Sequence, residues 1–484
     1  MAGIGFELRK LSRQETLSSV VAAAGHAAVI AAGPWLFTIF ALATITLLAE
    51  EIAGRAAVAT FRVMVIYAFG VSLVLTAPVT IVATRRVADA LWLKKPHDIP
   101  PLLFGAFAWA ILLSGLGVLA LCIAFRPPPA LALAFTAMSL LVALIWVALC
   151  FCGAVRDYAG VTLSFLIGLL VALVGAVAAA TFDQGAVGMT VMFTIGLMLT
   201  FVGLTSRVLR TFPQGVPDPW LGIRQIWQGA GLYWHLALGA LFGTAGVWVD
   251  KWVFWASSVG ERVDAGFVHA PIYDSAMFIS SLVIIPSLSA FVMKLETDFF
   301  DRYQHYYATI KSHGTIGQIE ASRARLASFT LDNLSLITVA QVGICGVLIL
   351  SAPAIVEILN LQFRQIAILR FGALGAIFQF IFIAATSLLL FFDRRRLYLG
   401  LQLLFFVLNL TMTVITIELN EDYYGVGYFL ACLISSFVAF VLADRTFANL
   451  NFLTFIGNNP TIRHSTALLL DRQNSFFKRF ARRS

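Results

Sequence analysis

The sequence predicts an all-α polytopic membrane protein with about 12 transmembrane helices in two six-helix bundles. Three observations carry this expectation: long uncharged spans, a scarcity of charge, and a basic-residue bias that alternates from gap to gap. The uncharged stretches are 16–49, 63–84, 99–125, 127–155, 158–182, 184–206, 225–249, 275–293, 333–356, 371–392, 397–417 and 423–443. A helix needs about 20 apolar residues to cross a bilayer, and only 275–293 falls short, by one. Hydrophobic residues make up 60% of the 484, and mean hydropathy is +0.90. Only 12% of residues are charged, against about a quarter in an ordinary soluble domain. A β-barrel would show short alternating segments instead of these continuous ones.

The basic residues set the orientation. With the N-terminus in the cytoplasm, 26 of the 33 Lys and Arg residues fall in the tails and in every second gap, among them Arg85, Arg86, Lys94, Lys95, Arg207, Arg210 and Arg394–Arg396. This is the positive-inside bias, and it predicts both termini in the cytoplasm. The net charge of +8 is then this bias summed, and it calls for no nucleic acid. The first apolar run follows a charged leader and is too long for the core of a cleaved signal peptide. All five Cys (122, 150, 152, 345, 432) fall inside spans, an odd number that makes no disulfide framework. Cys150 and Cys152 point about 200° apart on a helix, which argues against a shared metal.

The expected organisation is an N-terminal bundle over 1–206, a cytoplasmic linker at 207–228 with three prolines, a C-terminal bundle over 229–448, and a basic tail at 449–484. The halves echo each other: Pro78 is followed by Arg85 and Asp89, and Pro286 by Lys294 and Asp298. Such repeats typify transporters that bind substrate between halves, although prolines are also common in membrane helices. An insertion at 294–327 reads as a cytoplasmic helix pair broken at Gly314, with Phe299, Tyr303, Tyr306, Tyr307 and Ile310 at helical spacing. That face either docks a cytosolic partner or packs on the headgroup layer or its own neighbours. The tail, with Phe476, Phe477 and Phe480 among Lys478, Arg479, Arg482 and Arg483, reads as a membrane-surface anchor.

Several chemistries are missing from the sequence. No Gly precedes any Lys, so there is no phosphate-binding Walker A loop, and neither HExxH nor GxSxG occurs. No cofactor or enzymatic activity is expected. Ionisable groups inside spans are functional candidates by default. Asp250-Lys251, between Trp248 and Trp252, either lines a cavity to couple a cation or grip a sugar hydroxyl, or pairs locally while Lys251 snorkels. Arg62 and Arg370 sit at the expected periplasmic rim. His26 is a proton site or a packing residue, and Gly33-Pro34-Trp35 should bend the first helix. Tyr67, Trp234, Trp248, Tyr273 and Asp274 suit sugar rings, and aromatics of a membrane belt have the same look.

The start Met1-Ala2-Gly3-Ile4-Gly5-Phe6-Glu7-Leu8-Arg9-Lys10-Leu11, then Gly33-Pro34-Trp35, Asp250-Lys251-Trp252, Tyr273-Asp274-Ser275-Ala276-Met277-Phe278 with Pro286, and Glu296-Thr297-Asp298-Phe299 resemble the PelG family. These are inner-membrane subunits of bacterial Pel exopolysaccharide systems, within the multidrug/oligosaccharidyl-lipid/polysaccharide exporter superfamily. The resemblance runs over the whole chain. It implies two bundles around a central cavity, and export of a biofilm polymer rich in N-acetylated amino sugars. It also implies a cytosolic PelF-like glycosyltransferase and PelD-like and PelE-like membrane partners. A scaffold that recruits the glycosyltransferase without forming the path is the alternative. With no ATP site, energy for export would come from a cation gradient or from polymer synthesis.

Overall fold

The computed structural model describes residues 38–155, 157–214 and 218–457. Inside a bilayer each backbone N–H and C=O must be satisfied within the chain, so apolar spans become helices. In the first half α1 covers 38–53, and α2 Arg55–Trp92, α3 Ile99–Phe125, α4 Pro129–Val155, α5 Tyr158–Thr181 and α6 Gly185–Thr211 follow. A short α7, Pro219–Leu232, leads into the second half. There α8 is Trp234–Ala256, followed by a two-stranded hairpin of β1 Glu261–Arg262 and β2 Val268–His269. Next come α9 Pro271–Leu282, α10 Ile285–Lys294, a π-helical turn Leu295–Phe299 and α11 Phe300–Lys311. The chain continues through α12 Ile316–Ile358, α13 Gln365–Phe391, α14 Arg395–Leu419 and α15 Val426–Ala448.

Among the described residues 10 helices are long and apolar enough to cross a membrane, or 11 if α7 and α8 count as one bent span. Eleven of the twelve expected spans find a helix. The first, 16–49, is described only from residue 38 onward. The seventh needs correction. The chain bends by 87° between α7 and α8, so 225–249 straddles this bend and is not one straight helix. Charge-free sequence reports an apolar setting but not the direction of the helix axis, and α7 lies across the bundle. The insertion at 294–327 does break near Gly314. Lys311 ends α11, and Thr315 with Gln318 forms a capping box that starts α12.

Within the first half α4 packs on α2, α3 and α6, and α5 packs on α6. In the second, α8 packs on α14, α14 on α15, and α13 on α9, α12 and α15. The halves meet chiefly along α2 and α8. A Cβ added to Gly70 of α2 would lie 2.8 Å from the Trp248 ring, so the missing side chain lets the two helices close. The β1–β2 hairpin marks one end of the bundle. The opposite, basic end carries Lys94, Lys95 and Arg394–Arg396, and there Arg395 sits over the Tyr233 ring at 4.8 Å.

Candidate functional site at the seam of the two halves

The site begins with a carboxylate removed from solvent. Asp250, six residues before the end of α8, is fully buried. Lys251 Nζ donates to both its oxygens at 3.2 Å and to the Val247 carbonyl at 3.2 Å. The Tyr273 hydroxyl of α9 donates to Asp250 Oδ2 at 2.8 Å. A buried charge is tolerated only when paired and hydrogen-bonded, and both conditions hold. Tyr273 is in turn stacked on Phe254 at 3.7 Å. On the neighbouring helices Tyr428 donates to Gln379, and Asn409 Nδ2 donates to the Gly246 carbonyl at 2.8 Å. A polar seam thus runs through the core of the second half.

Asp274 begins a second layer. Its Oδ2 accepts from Trp255 Nε1 at 2.8 Å and from the Ala270 N–H at 3.0 Å. Its Oδ1 is buried and has no partner among the described residues. Trp255 stacks on Tyr67 at 4.5 Å, which brings α2 of the other half into the site.

The hairpin completes the closure. Gly266, at φ +83°, makes the turn that aims Phe267 into the first half. Phe267 is fully buried against Phe125, Phe135 and Tyr67, with ring centroids 4.9–5.0 Å away. The Tyr67 hydroxyl donates to the Val268 carbonyl at 2.7 Å. Beside it His269 is buried, and burial, helped by the Arg62 charge, pushes its pKa down to about 4. A segment of the second half is thus plugged into an aromatic pocket of the first.

The structure brings together Tyr67, Trp248, Asp250, Lys251, Tyr273 and Asp274, with Arg62 at the margin near His269. Trp234 does not join them. It is half-exposed at the other end of α8, about 24 Å away along the helix, and it stacks on His235. Arg370 is also apart, donating to the Ile349 carbonyl of α12 at 3.4 Å. His26 and Trp35 lie outside the described residues.

Of the two readings of the insertion's aromatic face, the contacts favour packing on its own neighbours over an open docking face. Phe299 and Tyr306 are buried, and Tyr303, Tyr307 and Ile310 pack against the same cluster. Tyr306 donates to Asn451 at 2.8 Å, and Phe299 meets Phe391 at 5.2 Å. Helical spacing marks an apolar face but cannot say whether the chain covers it itself. A cavity of about 140 Å³ does open nearby, but its lining, including Arg323, Leu334, Leu388 and Phe447, belongs wholly to the second half.

Sequence reasoning missed Trp255, Phe267, His269, Gln379, Asn409 and Tyr428. Amides inside spans carry no charge to single them out, and Phe267 looks like any loop aromatic.

With this geometry in view, the chain matches over residues 1–455 the family model PelG, described as "Putative exopolysaccharide Exporter (EPS-E)". The chain belongs to the PelG family. No curated protein matches it in sequence. Among solved structures it is similar to a multidrug resistance MATE family transporter of the MOP superfamily. Against the outward-facing conformation the TM-score is 0.60 at 14% identity, covering 88% of this chain and 96% of that one. Against the inward-facing conformation the TM-score is 0.60 at 13%, covering 88% and 99%. A MOP superfamily transporter from Pyrococcus furiosus, whose structure is titled for the reversed polarity of its binding pocket, gives 0.60 at 14%, covering 88% and 96%. At these identities the likeness shows the fold alone. The resemblance drawn from the N-terminal residues and the Asp250 and Tyr273 motifs is therefore confirmed, and the fold is that of the MATE and MOP transporters.

Proposed function

We propose that this protein exports a Pel-like amino-sugar polysaccharide across a bacterial inner membrane, along a path between its two halves. The basic end faces the cytoplasm, with both termini there, and the hairpin end faces the periplasm. The observation that carries the reading is the Phe267 plug, with Tyr67 and Trp255 around it, which closes the seam between the halves at the hairpin end. A transporter that rocks its halves must make and break such a seal.

In this reading the pictured state is shut toward the periplasm. Asp250 is the coupling candidate, and Lys251 is its resting counter-ion. A proton or another cation arriving at Asp250 would release Lys251 and loosen the Tyr273 bond, one helix away from the plug. Energy comes from a cation gradient through this group, or from the push of polymer synthesis by a PelF-like glycosyltransferase held with PelD-like and PelE-like subunits. The packing of the α11 aromatics on their own cluster favours a transporter over a pure scaffold.

The test is reconstitution in liposomes with a labelled amino-sugar oligomer, free or lipid-linked. Movement driven by an imposed proton or sodium gradient supports an autonomous exporter. Movement that appears only when the glycosyltransferase, its membrane partners and nucleotide sugar are added supports a synthesis-driven conduit. Absence of movement in both settings overturns the transport reading.

A further inference from the structure

We propose that α7 is a binding surface for anionic phospholipid in the leaflet at the basic end of the molecule. The argument starts from direction. The α7 axis stands at 87° to α8, so a crossing α8 leaves α7 lying in the membrane plane. Depth follows from the contacts with α3. The backbone of Gly222 lies against Pro101 and Gly105, so closely that a Cβ on Gly222 would meet the Pro101 carbonyl oxygen at 1.8 Å. Trp109 Nε1 donates to the Ile223 carbonyl at 3.2 Å, and the Trp109 and Trp227 rings stack at 5.5 Å and 13°. α7 therefore runs beside the first ten or so residues of α3, within about 15 Å of its end. That is the zone of headgroups and upper acyl chains, where in-plane amphipathic helices lie.

The two faces of α7 differ. Gly222, Ile226 and Gly229 are buried, Gly229 against Val82 and Arg86 of α2. The opposite face presents Trp220 at 81% exposure, Trp227 at 65% and Leu232 at 59%. At the adjoining end of α2, Trp92 is 84% exposed. Tryptophan at this density is costly in water and is typical of a lipid–water boundary.

Charge commits the surface to an anionic lipid. Arg224 on α7 and Lys94 and Lys95 after α2 are exposed, and none has an ion pair or side-chain hydrogen bond among the described residues. The Nε of Arg86, beside Gly229, is buried without a partner. Nearby acids are already engaged: Asp89 accepts from Tyr233 at 2.8 Å, Asp98 pairs with His97 at 3.6 Å, and Asp218 caps α7. Uncompensated cations interleaved with exposed tryptophans match a phosphate-bearing headgroup above acyl chains. A soluble partner would have to match the same pattern from the aqueous side.

The full chain is reconstituted in vesicles containing either brominated phosphatidylglycerol or brominated phosphatidylcholine at the same fraction, and tryptophan emission is read. Bromine quenches only rings in contact with the lipid that carries it. The proposal expects quenching by the anionic lipid to exceed that by the zwitterionic lipid by about two-fold at low salt and to weaken as salt screens the headgroups. The excess should fall in a W220F/W227F variant and vanish when Trp92 is also replaced by Phe. It should also vanish in a K94Q/K95Q/R224Q variant, which keeps every tryptophan. Equal quenching by the two lipids overturns the anionic preference. If the emission lost in W220F/W227F is instead quenched by aqueous acrylamide, the face belongs to water or a soluble partner, and the proposal fails.

Discussion

The Tyr67 hydroxyl donates to the Val268 carbonyl oxygen at 2.7 Å and so ties α2 of one half to the hairpin of the other. Because the same Tyr67 ring touches Phe267 and Trp255, one side chain serves both the polar and the apolar part of the seal.

Phe267→Ala should open this end. Truncating a fully buried Phe costs about 3–5 kcal/mol, and here the cost falls on the closed state. Amides of residues 261–269 should then exchange with deuterium roughly 10²- to 10³-fold faster or more, while those of α5 and α6 stay unchanged. Tyr67→Phe, which removes one hydrogen bond and leaves the Val268 carbonyl unpaired, should give a smaller rise, from about 1 kcal/mol. Unchanged exchange in both variants would mean that the hairpin does not close the seam.

Closure should weaken in acid. His269 is held neutral to about pH 4 while the hairpin is in place, whereas a solvated His titrates near 6.5. Between these values the open hairpin binds a proton that the closed one cannot. Closure is therefore fully stable above about pH 6.5 and loses stability as pH falls toward about 4. Arg62 adds its charge to this effect, and the strand partner of His269 is Glu261. Hairpin exchange, corrected for intrinsic rates, should rise on acidification in the wild type and stay flat in His269→Gln.

Breaking the Asp250 pair should be worse than removing it. Asp250→Asn leaves the partly buried Lys251 ammonium without its carboxylate, a loss smaller than the ~3–5 kcal/mol of a fully buried pair. The double variant D250N/K251M should recover much of that in a thermal melt. If Asp250 couples export, the double variant should fold yet show no gradient-driven movement. Movement with unchanged ion dependence would remove Asp250 from the coupling role.

Gly222→Ala should detach α7 from α3. The new methyl falls inside the Pro101 carbonyl, and overpacking of this kind costs about 1–3 kcal/mol. The melting temperature should drop, and the Trp109–Trp227 stack should be lost from the near-UV circular dichroism. A silent substitution would show that this contact is loose.

Much of the fold is legible in the sequence, because a bilayer imposes one rule on every span. Ten uncharged stretches agree with the helices they become, for bilayers admit few alternatives to a helix, and the seventh straddles a bend. The Asp250-Lys251 and Tyr273-Asp274 pairs also stand out, since charge inside a span is rare enough to notice. The grouping of Tyr67 with Trp255 and Phe267 was not legible, because those residues lie far apart along the chain and meet only when α2 and α8 close at Gly70.

The sequence alone determined the all-helical membrane-spanning character, through the length and apolarity of its spans, and the family, through its N-terminal string and polar motifs. Only the tertiary structure decided that residues 219–232 lie across the bundle and that the α11 aromatics face inward. It also decided that Asp250 is bonded to Tyr273 and that Phe267 plugs the other half. Apolarity and periodicity specify that a face must be covered. Which neighbour covers it depends on how the helices pack, and that is a property of the whole chain at once.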